Sequence, residues 1–317
     1  MIELRNVHKN FGTQMAVDNL CLEVPAGEIF GLLGHNGAGK STAIGMMLGQ
    51  VWPTSGDVRV CGFEVTTHRR QALQKVGAIF ETPVFYDYLS GWRNLEILSC
   101  YTARTSPGRI HEVIEWVGLT GREKSKVRTY SHGMRARLAI AQALLPQPEL
   151  LILDEPSDGL DPEGIHEMRQ TILRLHREMG LTILLSSHLL NEVEQLCTRI
   201  AVMNKGRKVF EGPLSEIHGK QRWIRLRVDD FARAIKKLRE KEMILDARGD
   251  NAISLAPKTG THEVVRCLVE NGFSVYEIST LEPTLEDFYL SLMKSSSNGE
   301  RQNPARDPHS PSIAAAA

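Results

Sequence analysis

No stretch of this sequence is apolar for long enough to cross a bilayer. The longest apolar runs, such as 138–145 and 181–185, fall far short of the roughly 18 residues that a spanning helix needs. The chain is therefore expected to be soluble by itself. Residues 1–7 carry neither a basic n-region nor an apolar h-region, which argues against a secretory signal there. Net charge is also missing. The 38 Lys and Arg residues balance 38 Asp and Glu, so overall charge offers no footprint for nucleic acid or anionic lipid. Membrane contact would have to come from a local surface. Cys21, Cys61, Cys100, Cys197 and Cys267 form no Cys-x-x-Cys pair, so they read as buried apolar thiols in a reducing cytosol, not as a disulfide framework. No internal repeat is found.

What is present is enough apolar material, 42% of 317 residues, for one large domain and a smaller one. Over residues 1–219, short β-type runs at 29–33, 76–80, 150–153, 182–185 and 200–203 alternate with helical patterns. That predicts an α/β domain with a largely parallel sheet. Between about 85 and 145 the pattern turns helical: Leu95, Leu98 and Tyr101, then Ile110, Val113, Ile114 and Val117, recur at helix spacing. This reads as a helical subdomain inserted into the sheet's connectivity. Residues 220–294 form the expected second domain. Strands at 223–228, 243–246, 252–255 and 273–278 and helices at 231–241 and 261–271 give a β-α-β-β-α-β order, predicting a small α+β ferredoxin-like fold closed by a last helix at 284–294. Residues 295–317 lack apolar periodicity and are expected to be disordered.

The chemistry begins at Gly34-His35-Asn36-Gly37-Ala38-Gly39-Lys40-Ser41-Thr42, a phosphate loop preceded by the strand that this motif requires. Its glycines let backbone N–H groups turn around phosphates at a helix N-terminus, where the helix dipole favours an anion. Lys40 would neutralise the β- and γ-phosphates, and Ser41 supplies a hydroxyl for Mg²⁺. Further along, four apolar residues deliver Asp154 and Glu155 to the carboxyl end of another strand, where open α/β sheets bind ligands. Asp154 would hold Mg²⁺, directly or through water. Glu155 is placed to polarise the water that attacks the γ-phosphate. A GTPase would need Asn-Lys-x-Asp, but Asn204-Lys205-Gly206 is followed by Arg207, so the guanine-reading carboxylate is absent.

With Tyr130-Ser131-His132-Gly133-Met134 upstream of 150–156, the sequence resembles the ATP-binding subunits of ABC transporters over about residues 1–215. The resemblance implies a P-loop ABC ATPase domain working as a head-to-tail pair with a second copy, two ATP molecules lying between them. In that family Ser131, Gly133 and Met134 open a helix whose N-terminus meets the γ-phosphate held by the opposite subunit. Asp161, in Asp158-Gly159-Leu160-Asp161, resembles the D-loop that communicates across the pair. His188 matches the switch histidine on the γ-phosphate, and Phe11 falls where an aromatic ring stacks on adenine.

The pattern departs from the family at Glu81, which stands where a glutamine is usual; a carboxylate there can ligate Mg²⁺ but adds charge near Asp154 and Glu155. Hydrolysis could be altered. The signature keeps Ser131 and Gly133 but has His132 and Met134 in its variable positions, and the D-loop has Asp158-Gly159 where Ser-Ala is common. Glu81, the aromatic tract 85–95 and residues 281–288 together resemble the bacitracin-resistance and ABC-2-type multidrug exporter branch. That implies a peripheral subunit on the cytoplasmic face of the membrane, powering separate transmembrane permease subunits that export a drug-like, antibiotic or lipid-like substrate. Phe85, Tyr86, Tyr88 and Trp92 are candidates for the permease's seat, with core packing as the competing role. No nucleic acid partner is expected. Two alternatives remain open at this point: a non-transport ABC-type ATPase and a low-turnover nucleotide-dependent regulator. The transported substrate is not legible.

Overall fold

The computed structural model describes residues 1–80, 84–102, 105–216, 223–249, 251–257, 259–281 and 284–300. Glu81 lies outside these residues, as does the expected tail beyond residue 300. The first domain opens with β1 (Ile2–Phe11), β2 (Gln14–Val24), β3 (Ile29–Leu33), α1 (Lys40–Met47), β4 (Ser55–Val60), β5 (Phe63–Glu64), α2 (Arg69–Leu73) and β6 (Val76–Ile79). Helices α3 (Gly91–Thr102), α4 (Pro107–Trp116) and α5 (His132–Leu144) come next. The domain continues through β7 (Leu150–Leu153), α6 (Pro162–Met179), β8 (Thr182–Ser187), α7 (Leu190–Leu196), β9 (Arg199–Asn204) and β10 (Arg207–Pro213).

The central sheet has the order β10-β9-β3-β8-β7-β6, parallel throughout except where β10 pairs with β9. Strands β3, β7 and β8 are buried along their whole length, as a sheet covered on both faces demands. Alternate residues then serve two different cores. Ile29, Leu33, Leu151, Leu153, Ile183 and Leu185 pack toward α5 and α6, while Phe30, Leu32, Ile152 and Leu184 pack toward α1. Gly31 keeps β3 close to α7, because a Cβ there would stand 2.9 Å from the Cys197 sulfur.

A second sheet, β2-β1-β4-β5, is antiparallel and covers the α1 side. None of its strands is among the runs expected from the sequence; the largely parallel sheet predicted there is the central one. Its strands bury mainly alternate residues, so each carries a weaker apolar signal than the fully buried central strands. The helical subdomain is where the spacing placed it, with α3, α4 and α5 between β6 and β7. The cysteines are free, but only Cys197 and Cys267 are buried; Cys21 and Cys61 are partly exposed and Cys100 is exposed. The expectation of buried thiols therefore holds for two of them.

The second domain contains β11 (Trp223–Val228), α8 (Phe231–Glu240), β12 (Ile244–Arg248), β13 (Ala252–Leu255), α9 (Thr261–Glu270) and β14 (Val275–Leu281). The sheet order β12-β13-β11-β14, antiparallel at every pairing, is the ferredoxin-like arrangement. It has its own core, including Ile224, Leu226, Leu238, Ile253, Val264 and Leu268. The last helix, α10 (Leu285–Glu300), extends beyond the expected end at 294 and does not join that core. It returns to the first domain. Leu285 is fully buried there, its N–H donates to Glu194 of α7 at 3.3 Å, and Phe288 meets Phe210 of β10 edge to face at 4.8 Å.

Phe288 is only partly buried, so Phe288→Ala should cost about 1–2 kcal/mol, less than the roughly 3–5 kcal/mol of a fully buried phenylalanine. Denaturant unfolding of the full chain measures it. An unchanged first-domain midpoint would mean that α10 does not support that domain.

Candidate active site

The phosphate loop joins the end of β3 to α1, and backbone geometry explains its glycines. Gly37 and Gly39 have φ of 82° and 102°, and Gly39 caps α1 from a left-handed conformation. A Cβ at Gly39 would stand 2.7 Å from the Ala16 carbonyl oxygen, and one at Gly34 would stand 2.6 Å from that of Met203. Both positions are closed to any side chain. The loop is tied to its surroundings by Gly206 N–H donating to Ala38 O at 3.0 Å and by His35 Nε2 lying 3.1 Å from Asn204 Oδ1.

Glu155 is the meeting point of the site. One carboxylate oxygen lies 3.1 Å from the Lys40 ammonium, and the other lies 2.8 Å from His188 Nδ1. Lys40 is 5% exposed and also donates to Gly34 O at 2.7 Å. Glu155 thus touches both of the other residues expected to act on phosphate and water; Lys40 opens α1, and Glu155 and His188 follow the ends of β7 and β8. Glu155 has φ of 48°, a left-handed conformation that costs a non-glycine residue about 1–3 kcal/mol. Ser186, fully buried, holds it there. Its hydroxyl accepts from the Glu155 N–H at 2.9 Å and donates to the Asp154 carboxylate. Ser186 is not among the residues singled out from the sequence; a hydroxyl at the end of a strand parallel to β7 was the available signal.

An open cavity of about 670 Å³ extends from these residues to the end of the domain where Phe11 lies. Its lining includes Phe11, residues 35–42, Glu155, Asp158 and His188. Phe11 closes β1 beside a tight turn, 52% exposed, with the Lys9 ammonium 4.7 Å from the ring centre. Gln14, Met15 and Ala16 of β2 and Lys205-Gly206 complete that end, none of them singled out from the sequence as nucleotide contacts.

Among the described residues, Gly34, Ser131, Gly133, Met134, Asp154 and Asp161 do not line this cavity. Ser131 caps α5, its hydroxyl accepting from Met134 N–H at 3.2 Å, and the Met134 side chain packs against the core. Gly133 passes close to α6: a Cβ there would lie 3.4 Å from Gly164 Cα. Asp161 caps α6 by accepting from Gly164 N–H at 3.0 Å, so its carboxylate has a local role. The aromatic tract divides evenly. Phe85 is buried and Trp92 packs on the core and on His111, whereas Tyr86 and Tyr88 are exposed and meet edge to face at 6.1 Å.

Ser186→Ala would strand the Glu155 N–H and leave Asp154 without its donor, so it should lower stability by about 2 kcal/mol. Turnover should fall more than ATP affinity, because Asp154 and Glu155 move while the phosphate loop does not. Nucleotide titration beside steady-state hydrolysis separates the two; equal losses in both would contradict this role for Ser186.

Comparison with known proteins agrees with the geometry. The ABC transporter family model matches residues 17–158. The bacitracin transport ATP-binding protein BcrA of Enterococcus faecalis is 40% identical over 296 residues, covering 92% of this chain and 96% of that protein. An ABC transporter ATP-binding protein of Bacillus subtilis (strain 168), YhcH, is 39% identical with 92% and 95% coverage, and the linearmycin resistance ATP-binding protein LnrL of the same strain is 33% identical with 92% and 98% coverage. Among solved structures, an ATP-binding subunit of an ABC transporter superposes with a TM-score of 0.61 at 28% identity, covering 69% of this chain and 92% of that one. A dimeric post-hydrolysis ATP-binding cassette bound to ADP and Pi gives 0.60 at 25% identity, covering 68% and 99%. This chain belongs to the ABC transporter family, as an ATP-binding and ATP-hydrolysing subunit that powers transport.

Proposed function

We propose that this subunit drives an ABC-2-type exporter of an antibiotic, another drug or a lipid-like molecule. It would work as a head-to-tail pair on the cytoplasmic face of the membrane, attached to separate permease subunits. Export is supported by relatives named for bacitracin transport, linearmycin resistance and Nod factor export. Among the described residues no helix is long and apolar enough to cross a membrane, which fits a separate permease.

The observation that carries the mechanism is the Glu155 carboxylate standing between Lys40 and His188. An arriving γ-phosphate would compete for the Lys40 ammonium and free one Glu155 oxygen to polarise water. His188, still at the other oxygen, would orient the carboxylate and reach the phosphate. Phe11 would stack on adenine with its exposed face, while residues 34–42 wrap the phosphates with backbone N–H groups. Ser131, Gly133 and Met134 lie outside the cavity's lining, which supports their acting on the nucleotide of the second copy, with Asp161 holding α6 beside Gly133.

The residues fit Mg²⁺. Ser41 and Asp154 are hard oxygen donors, and among the described residues no group of three His, Cys, Asp or Glu forms a self-sufficient cage. A cation held mainly by phosphate oxygens and water suits that donor set, and it would supply charge neutralisation. Glu81, the remaining candidate ligand, lies outside the described residues.

Tyr86 and Tyr88 are the proposed permease seat. Fully buried Asn94 fixes the Tyr86 backbone and ties it to Ser90, accepting from Tyr86 N–H at 2.8 Å and donating to the Tyr86 and Ser90 carbonyls. Replacing both tyrosines by alanine should lower transport about tenfold or more in cells while ATP binding by the purified chain stays unchanged. Undiminished transport would remove the seat. For the pair, hydrolysis per mole of chain should rise with protein concentration, and Glu155→Gln should abolish hydrolysis while trapping an ATP-dependent dimer. Activity strictly linear in concentration would rule out a shared site.

A further inference from the structure

The hairpin that carries Phe11 has an interrupted ladder. Strands β1 and β2 shift register between Leu4 and Val7, between Val7 and Lys9, and between Lys9 and Asn10. His8 on β1 and Asp18 and Asn19 on β2 therefore have no opposite residue across this pair. Side chains fill the gap. Asn19 N–H donates to His8 Nδ1 at 3.2 Å, and Asp18 Oδ1 stands 3.2 Å from the same ring nitrogen. The other Asp18 oxygen reaches outward: Arg207 Nε donates to it at 2.6 Å, and Arg207 Nη2 lies 2.5 Å away. The Asp18 side chain is only 13% exposed, so its charge is largely screened from water and faces that guanidinium directly.

The turn before Arg207 explains what this contact holds. Asn204 and Arg207 pair across a two-residue loop, Lys205-Gly206, whose φ values of 47° and 80° are both positive, as tight hairpin turns favour. Gly206 O accepts from Asp18 N–H at 2.9 Å, and Gly206 N–H donates to Ala38 O in the phosphate loop at 3.0 Å. The approach is close, since a Cβ at Gly206 would stand 2.8 Å from Ala16 O. Lys205 and Gly206 line the nucleotide cavity with Phe11, Met15 and Ala16, whereas Asp18 and Arg207 do not. The Asp18–Arg207 pair thus joins the Phe11 hairpin to the β9–β10 turn from outside the cavity.

We propose that Asp18 is a positioning residue for base recognition: by gripping Arg207 it fixes the β1–β2 hairpin against the turn at 205–206, and so sets where the Phe11 ring stands over adenine. The proposal rests on Phe11 being the ring that stacks on adenine. The phosphate loop keeps its own tie to the same turn through the backbone bond between Gly206 and Ala38, which loss of either side chain leaves in place. Base binding should therefore depend on the pair and phosphate binding should not.

Calorimetric titration of the full chain with ATP and with inorganic tripolyphosphate, which lacks base and sugar, tests this. The variants are Phe11→Ala, Asp18→Ala, Arg207→Ala and the Phe11→Ala/Asp18→Ala pair. Phe11→Ala should weaken ATP binding about three- to tenfold, the worth of one ring stack. Asp18→Ala and Arg207→Ala should each weaken ATP about threefold, with tripolyphosphate changed less than about twofold. Adding Asp18→Ala to Phe11→Ala should weaken ATP no further, because Asp18 acts through the ring. Arg207 is 70% exposed, so Arg207→Ala carries the test if Asp18→Ala does not fold. With Phe11→Ala weakened as expected, parental ATP affinity in Arg207→Ala, equal losses for both ligands, or losses that multiply in the double variant would overturn the inference. Parental ATP affinity in Phe11→Ala would instead overturn the reading of Phe11 itself, and this inference with it.

Discussion

The site depends on holding a carboxylate where the backbone resists it. Glu155 sits with φ of 48°, bridging Lys40 and His188, and the strain of that conformation is offset by the Ser186 hydroxyl, which binds its N–H and the neighbouring Asp154 together. Ser186 can do so because β7 and β8 are parallel neighbours, in register from Leu150 opposite Thr182 to Leu153 opposite Leu185. Both strands are buried on each face, so their ends have little freedom to separate. Rigid apolar packing below the site thus becomes precise polar geometry above it.

The same sheet explains why the site is open on one side. The phosphate loop after β3 and the ends of β7 and β8 bring Lys40, Glu155 and His188 to one edge, whereas Ser131 and Gly133 at the start of α5 lie outside the lining of that cavity. A second copy supplying those residues is the proposed completion. Helix α7 has a further position of interest. It follows His188, its Glu194 accepts from the first turn of α10, and α10 follows the ferredoxin-like domain directly in sequence.

Motif-bearing segments were legible in the sequence because their chemistry is local. The phosphate loop needs glycines within a few residues of Lys40, and the apolar run before Asp154 needs only to be a buried strand. The inserted helices were legible too, since Ile110, Val113, Ile114 and Val117 repeat at the spacing of one helical face. Less could be read where strands were half exposed, so the strands of the antiparallel β2-β1-β4-β5 sheet are absent from the expected runs. Helix α10 was assigned to the nearer domain in sequence, although its apolar face packs on the farther one.

The sequence by itself determined the family, the phosphate loop and the order of the motif-bearing segments, because each is carried by residue type at short spacing. Tertiary structure alone decided which residues touch. It placed Lys40 and His188, 148 positions apart in number, on opposite oxygens of Glu155. It made Ser186 the clasp for the Asp154-Glu155 turn, Phe85 and Trp92 core, and Tyr86 and Tyr88 surface. Those outcomes depend on strand register and on the direction each backbone segment faces, and neither is encoded in a window shorter than the fold.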